Sequence, residues 1–360
     1  MDIIDREKTF KLWMECFPNR KLYNDFYINE RFHPNESITI QAQGEVVAAL
    51  QMLTYNVNYL GVSSKMKYIA SICTHKDHRR QGMARNCLIK GLIKIYGTRI
   101  PLCCVVPISD SSRMFFRKLG FVNCTYRRLV PYTPKKDFEY HTSTVEIIPV
   151  DKISQTDRSR VRTLYYIKWS NPNEAWVLHK KKDMNQTRRA YALLGNTKFL
   201  CIREENEIRS FALITETAKE NLVQDSYFQS EADMENIYYA YQNLIGDGKK
   251  IKYAEFLSES EMNDETLKRG YQPYAMARVA CMKEIVKVYL QLHKDEKRDF
   301  YVEDNVINGN TGYYSVNKGN VIFRKNVSNP EDYEKIDILV ATEKLFDNLN
   351  LRMSLMLDNL

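Results

Sequence analysis

Tyr68-Ile-Ala-Ser-Ile-Cys-Thr-His-Lys-Asp-His-Arg-Arg-Gln-Gly-Met-Ala84 is the stretch from which the fold can be read. The apolar run from Tyr68 to Cys73 has the composition of a strand. After a polar turn and the cluster Arg79-Arg80-Gln81-Gly82-Met83-Ala84, apolar residues recur at Ala84, Cys87, Leu88, Leu92, Ile95 and Tyr96, the spacing of a helix. A strand that passes through a loop into a helix start aims several backbone N–H groups at one spot, where the helix dipole adds positive charge. Arg79 and Arg80 supply two guanidinium groups there, and Gly82 lets a ligand approach the main chain where a side chain would collide. The arrangement suits a pyrophosphate. A solvated, basic helix start would read the same way over so short a pattern.

A second motif lies downstream. The apolar run Leu102-Cys-Cys-Val-Val106 is followed by Pro107-Ile-Ser-Asp-Ser-Ser112 and then Arg113-Met-Phe-Phe-Arg-Lys-Leu-Gly-Phe121. Arg79-x-x-Gly82-x-Ala84, then a strand, then Phe115-Phe116-x-x-Leu119-Gly120-Phe121, resembles the GNAT acyl-CoA N-acyltransferases in motif order and distance. The first motif resembles their pyrophosphate loop, and the second their strand-helix-strand ending in Leu-Gly-Phe.

At 360 residues the chain has room for two or three domains with cores of their own. Its 44% apolar and 27% charged content is that of a soluble globular protein. With no run of about 18 apolar residues, no membrane span is expected. The charged start, Met1 to Lys8, lacks an apolar signal core, so a cytoplasmic protein is expected. Eight cysteines form no CxxC pair, and most stand in apolar runs, as small core residues do in a reducing compartment. Six scattered histidines make no metal-ligand constellation; no metal is expected, and His75 and His78 read as loop residues. The net charge of +8 is spread along the chain without a Lys/Arg block, which argues against nucleic acid as a partner and suits an anionic cofactor.

Around the central stretch, residues 5–17 and Leu22 to Phe32 read as amphipathic helices that stop at Pro18 and before Pro34. Ser37 to Ala42 and Glu45 to Leu53, joined at Gln43-Gly44, read as a hairpin continued by Tyr55 to Leu60. The order begins again with a strand from Thr144 to Val150 and a helix from Gln155 to Trp169. A long polar helical stretch with Trp176 and a hairpin at Thr197 to Ile214 follow, then a helix from Ala232 to Leu244 and a strand from Lys252 to Leu257. That second half has no Arg-x-x-Gly-x-Ala loop; it reads as a degenerate acyltransferase-like domain without cofactor, or as an unrelated α+β domain. The last part has a helix from Met282 to His293, strands at Arg298 to Asp304, Tyr313 to Val316 and Val321 to Arg324, a strand from Ile336 to Val340, and a helix through Leu349. Val302-Glu-Asp304 with Asn308-Gly309 and the following hairpin resembles a sterol-carrier-protein-like domain.

The expected fold class is therefore α+β, with tandem GNAT-like domains at 1–130 and 144–277 and a sterol-carrier-protein-like domain at 278–360. This layout resembles the enhanced intracellular survival (Eis) acetyltransferases. That resemblance implies acetyl transfer from acetyl-CoA to an amine acceptor, such as an aminoglycoside-like or polyamine-like molecule or a protein lysine, and assembly into a homo-oligomer. It also implies roles for residues. Ile72, Cys73 and Thr74 would lie along the pantetheine arm, met through main-chain groups. Arg79, Arg80, Gln81, Gly82, Met83 and Ala84 would hold the pyrophosphate. Ser111 stands by the cofactor, five positions before the family's tyrosine acid, which is Phe116 in this chain. The family's base is the chain's terminal carboxylate, here that of Leu360, and Asp358 is a candidate to bind a cationic amine. Without a phenol at Phe116, the alternatives are an acyl-CoA sensor with little turnover and a scaffold whose last domain holds an apolar ligand.

Overall fold

The long central hairpin forms from residues that bury both faces: positions 46–53 of its first arm are all buried, as a strand covered on two sides requires. The computed structural model describes residues 6–169, 175–245, 248–346 and 351–352. Helices α1 (Arg6–Cys16) and α2 (Lys21–Glu30) precede strands β1 (Ser37–Ala42), β2 (Glu45–Tyr59) and β3 (Val62–Thr74). Then come α3 (Met83–Gly97), β4 (Leu102–Val105), α4 (Asp110–Arg117) and β5 (Val122–Pro131). The middle of the chain supplies β6 (Val145–Pro149), α5 (Gln155–Trp169), β7 (Ala175–Leu178), α6 (Lys181–Leu194), β8 (Thr197–Glu204), β9 (Glu207–Glu216), β10 (Asn221–Tyr227), α7 (Glu231–Ile245) and β11 (Ile251–Leu257). The last part holds α8 (Asp264–Lys268), β12 (Gln272–Val279), α9 (Met282–Leu292), β13 (Lys297–Glu303), β14 (Gly312–Asn317), β15 (Asn320–Arg324), β16 (Glu334–Asp337), α10 (Ile338–Phe346) and β17 (Leu351–Arg352).

Two compact units result, and they do not follow chain order. The first takes Met1–Tyr126, Pro172–Val177 and Leu257–Arg352; the second is built from Arg127–Asn171 and Leu178–Phe256. In the first unit the strands run β17-β7-β2-β3-β4-β12-β5, with β1 paired to β2. Strand β12, placed by the sequence reading in a second domain, is thus a member of this sheet: Met276 to Val279 pair with Val105 to Leu102 of β4. Two expectations are corrected here. Trp176, expected in a helical stretch, lies in β7, where it pairs with Arg352 of β17. Of the strand expected from Ile336 to Val340, only Ile336 and Asp337 belong to β16; residues 338–340 begin α10. The part of the last helix expected beyond Phe346 lies outside the described residues.

The core of the first unit is sealed by α3, whose Cys87, Leu88, Leu92 and Ile95 meet Leu50, Met52, Phe116 and Phe121. A four-stranded sheet, β15-β14-β13-β16, belongs to the same unit. It is tied in by a fully buried ion pair, Arg278 Nη2 to Asp304 Oδ1 at 2.6 Å, while Arg278 Nε donates to Leu119 O at 3.0 Å. Gly309 passes so close to Tyr96 that an added Cβ would lie 2.3 Å from the phenol ring, and the Tyr96 hydroxyl donates to Gly309 O at 2.9 Å. The Asp304 and Asn308-Gly309 motif therefore serves here to pack the last sheet against its neighbours.

In the second unit β11, β10, β9, β8 and β6 are neighbours in that order. Alternation sends Leu200 and Ile202 to the face covered by α7 and Phe199 and Cys201 to the opposite face, with Leu164 of α5 and Tyr191 of α6.

Candidate functional site

The site grows from a defect in β3. The strand pairs with β2 as Gln51↔Ala70 and then Ala49↔Cys73, so β3 spends three steps where β2 spends two. Ser71 absorbs the extra residue at φ +50°, a left-handed conformation uncommon for a side-chain-bearing residue and typical of a bulge. On its other edge β3 pairs in parallel with β4 only at Met66↔Leu102, Lys67↔Cys103 and Tyr68↔Cys104. Beyond Tyr68 the two strands part, leaving the β4-facing edge of residues 69–74 without a strand partner among the described residues. An extended ligand could pair there as a strand would.

From this edge the chain turns through Lys76–His78 into the helix start. Arg80 and Gly82 both take positive φ, +61° and +79°. Gly82 is the N-cap of α3 and offers no side chain to the first-turn N–H groups. A Cβ at Gly82 would meet nothing within 4 Å, so its need is conformational, and the space above it is open. Orphan N–H groups and the helix dipole face that space, and the exposed Arg79 and Arg80 stand beside it in the loop, as an anion site requires. The residues present fit the diphosphate of a coenzyme A. Gln81 Nε2 donates to Asp77 O at 3.0 Å and steadies the turn. Met83 and Ala84 are half-buried in the first helical turn, Met83 against the core.

Other expected residues fall as follows. Ile72 is half-buried on the core, and Cys73 is buried. The Thr74 carbonyl accepts from Arg79 Nε at 3.3 Å and from Cys16 Sγ at 3.6 Å. Ser111 is exposed in the first turn of α4, after β4, with its Oγ 2.9 Å from Ser109 Oγ. Phe116 is 2% exposed and packs between Phe115 and Phe121 in the core. Leu360 and Asp358 lie outside the described residues. Tyr126, the next phenol along the chain, donates to Glu259 Oε2 at 2.5 Å; burial and that carboxylate push its pKa up, away from an acid useful near neutrality.

Of two groups beside the loop, Cys16 escaped the sequence reading and His75 was read only as a loop residue. Cys16, the last residue of α1, shares a hydrogen bond with Cys73 and faces Arg79. That bond and the guanidinium bring its thiol down to about 7 against the effect of burial, while the bond and burial push Cys73 up. His75 Nε2 sits 2.9 Å from Glu15 Oε2, and His75 Nδ1 accepts from Asp77 N at 3.3 Å. No spacing rule brings the end of α1 to the end of β3; the folded sheet does.

The second unit repeats the defect without the loop. Strand β10 pairs with β9 as Val223↔Ile214 and then Asp225↔Leu213, again one residue too many, and with β11 only at Asn221↔Ile251 and Leu222↔Lys252. The helix that follows is closed by its own side chains. Asp233 in the first turn of α7 receives Arg209 through two bonds (2.8 and 3.1 Å) and Ser210 Oγ at 2.6 Å, and Ser230 Oγ caps the Asp233 N–H. A carboxylate occupies the place that a phosphate would need.

The comparisons agree with this geometry. Residues 3–123 match the family described as Acetyltransferase (GNAT) domain. No curated protein matches the sequence. Among solved structures, the chain is similar to an Enterococcus faecalis V583 protein described as of unknown function and a probable N-acyltransferase. The TM-score is 0.68 at 13% identity, over 95% of this chain and 87% of that one. A GCN5-related N-acetyltransferase from Kribbella flavida gives 0.65 at 11% identity, covering 98% and 96%. Eis1 from Mycobacterium abscessus gives 0.58 at 12% identity, covering 96% and 88%. These likenesses establish a mixed α/β GNAT-like fold. The domain match at 3–123 supports an acetyl-CoA-dependent acyltransferase. Among the described residues, no helix is long and apolar enough to cross a membrane, and no group of three His, Cys, Asp or Glu residues could hold a metal.

Proposed function

We propose that the protein transfers an acetyl group from acetyl-CoA to a primary amine of a small cationic molecule, aminoglycoside- or polyamine-like, or to a protein lysine. The carrying observation is the bulged, half-unpaired β3 running past Arg79 and Arg80 into an α3 start whose N-cap, Gly82, offers no side chain. Transfer is by direct attack in a ternary complex. The amine must lose a proton before it attacks the thioester carbonyl, and the CoA thiolate then leaves. The proposed base is the α-carboxylate of Leu360, with Asp358 drawing in the cation; both rest on the resemblance to the Eis layout. Assembly into an oligomer, a cytoplasmic location and a sterol-carrier-like last domain belong to the same reading.

A second reading, an acyl-CoA sensor with weak turnover, is favoured by one observation. Phe116 carries no proton and is packed into the core, so nothing at that position can protonate the thiolate. Thiol release from acetyl-CoA across an amine panel separates the two. The enzyme reading expects turnover on at least one amine, lost without Leu360 while acetyl-CoA affinity stays. Tight acetyl-CoA binding with no turnover on any amine would leave the sensor.

A further inference from the structure

The second unit contains a solvent-open cavity between α5, α6 and the bulged end of β10. Its walls are apolar, with Val161, Tyr191, Phe199, Phe211 and Leu213 among them. Four cations line it as well: Arg158, Arg162, Lys181 and Arg188. Among the described residues none of the four makes a salt bridge. Arg158 and Arg188 reach only main-chain carbonyls, of Ile153 (3.3 Å) and Val150 (3.4 Å), and Arg162 reaches Ser159 Oγ (3.4 Å). Arg188 Nε is buried with no hydrogen-bond partner.

One acid lines the same cavity. Asp225 is 5% exposed, and its Oδ1 is engaged by Lys168 Nζ at 2.9 Å and by Ser226 N at 2.8 Å. Its Oδ2 is buried and unpartnered. Leaving such an oxygen unsatisfied is unfavourable, and a ligand hydroxyl or amide N–H would satisfy it. Lys168 balances the charge of Asp225, so the four unpaired cations set the sign of the cavity: it favours an anion on an apolar body.

We propose that this cavity binds a carboxylate-bearing amphiphile: an apolar chain lies along Phe199, Phe211 and Leu213, its carboxylate is held by Arg188 and Arg158, and a nearby hydroxyl or amide N–H donates to Asp225 Oδ2. The unit that lacks a phosphate loop thus keeps a binding role, at a site separate from the acetyl-CoA groove.

Calorimetric titration of the full chain with 3-hydroxyoctanoate, N-octanoylglycine, octanoate and octanol tests this. Either of the first two, or both, should bind, and which one does tells a hydroxyl from an amide donor. Octanoate, without the donor, should bind about ten-fold more weakly, and octanol, without the anion, weaker still. Arg188→Gln should weaken the acid that binds at least ten-fold, and Leu213→Trp, which fills the cavity, should abolish binding. Folding of each variant is checked by its thermal melt and by acetyl-CoA binding; if Leu213→Trp does not fold, Val161→Trp replaces it. The proposal is overturned if neither donor-bearing acid binds, if octanol or octanoate binds as tightly as they do, or if binding survives both Arg188→Gln and the cavity-filling variant.

Discussion

Strands β3 and β10 carry the same one-residue bulge at the same place, just past a short parallel pairing with the next strand of the sheet. The first residue after the bulge is Cys73 in one and Asp225 in the other. Each is buried and meets a side chain from the end of a helix, Cys16 of α1 or Lys168 of α5. Beyond that point they diverge. After β3 the helix start is left open by Gly82; after β10 it is filled by Asp233 and bound by Arg209 and Ser210. A backbone defect can therefore persist while its chemistry changes. The splay of two strands makes a cleft, and the next helix start decides whether an anion is welcome there.

Variants can break or sharpen this contrast. The largest effect is expected from Asp233→Ala, which strands Arg209 and Ser210 beside an emptied helix start. Arg209 is 33% exposed and can be solvated, but the buried Ser210 also loses its acceptor, so the change costs about 3 kcal/mol, read by urea unfolding, while acetyl-CoA affinity stays unchanged in calorimetry. A gain in acetyl-CoA binding would mean that the two helix starts differ only by that plug. Next comes Arg79→Glu combined with Arg80→Glu. Losing two charge-assisted contacts and adding repulsion should weaken acetyl-CoA binding about 100-fold, roughly 2.7 kcal/mol. Unchanged affinity would remove the loop from the site.

Gly82→Ala is milder. Nothing lies within 4 Å of the new Cβ, so only the left-handed φ of +79° opposes it. A cost of about 1–2 kcal/mol is expected, read as a lower Tm that bound acetyl-CoA partly restores. The smallest effect concerns Cys16. Its folded-state pKa, about 7, is below that of an ordinary thiol, so the thiolate is favoured in the fold and is lost as pH falls through 7. Alkylation by iodoacetamide should rise about ten-fold from pH 6 to pH 8. Cys73→Ala, which removes the donor, should move the midpoint toward the ordinary value near 8.5, and acetyl-CoA should slow the reaction. A midpoint already near 8.5 in the unaltered protein would show that Cys73 and Arg79 do not act on Cys16.

Most of the first unit was legible because its signals are local. The Gly82 helix start, the apolar steps from Cys87 to Ile95 and the Gly44 turn each depend on neighbours within a few residues. Helix α5 was likewise readable, with bounds of Gln155 and Trp169 in sequence and structure alike. Trp176 was misplaced because a four-residue strand between two polar helices has no periodicity to show; its strand character comes from pairing with β17. The Cys16 and Cys73 contact, 57 positions apart, and the Asp225 cavity depend on which faces the sheet brings together. Phe116 was found at its motif position, but only packing reveals that its ring belongs to the core.

Strand β12 has a consequence for how the chain is made. The sheet that carries the proposed acetyl-CoA groove has a gap between β4 and β5 until residues 272–279 arrive. At about 5–20 residues per second of synthesis, β5 is finished roughly 7–30 seconds before β12 is. For that interval β4 and β5 each present an open edge, a template for pairing with another nascent chain. The first unit's sheet is thus complete only once nearly four-fifths of the chain has been read.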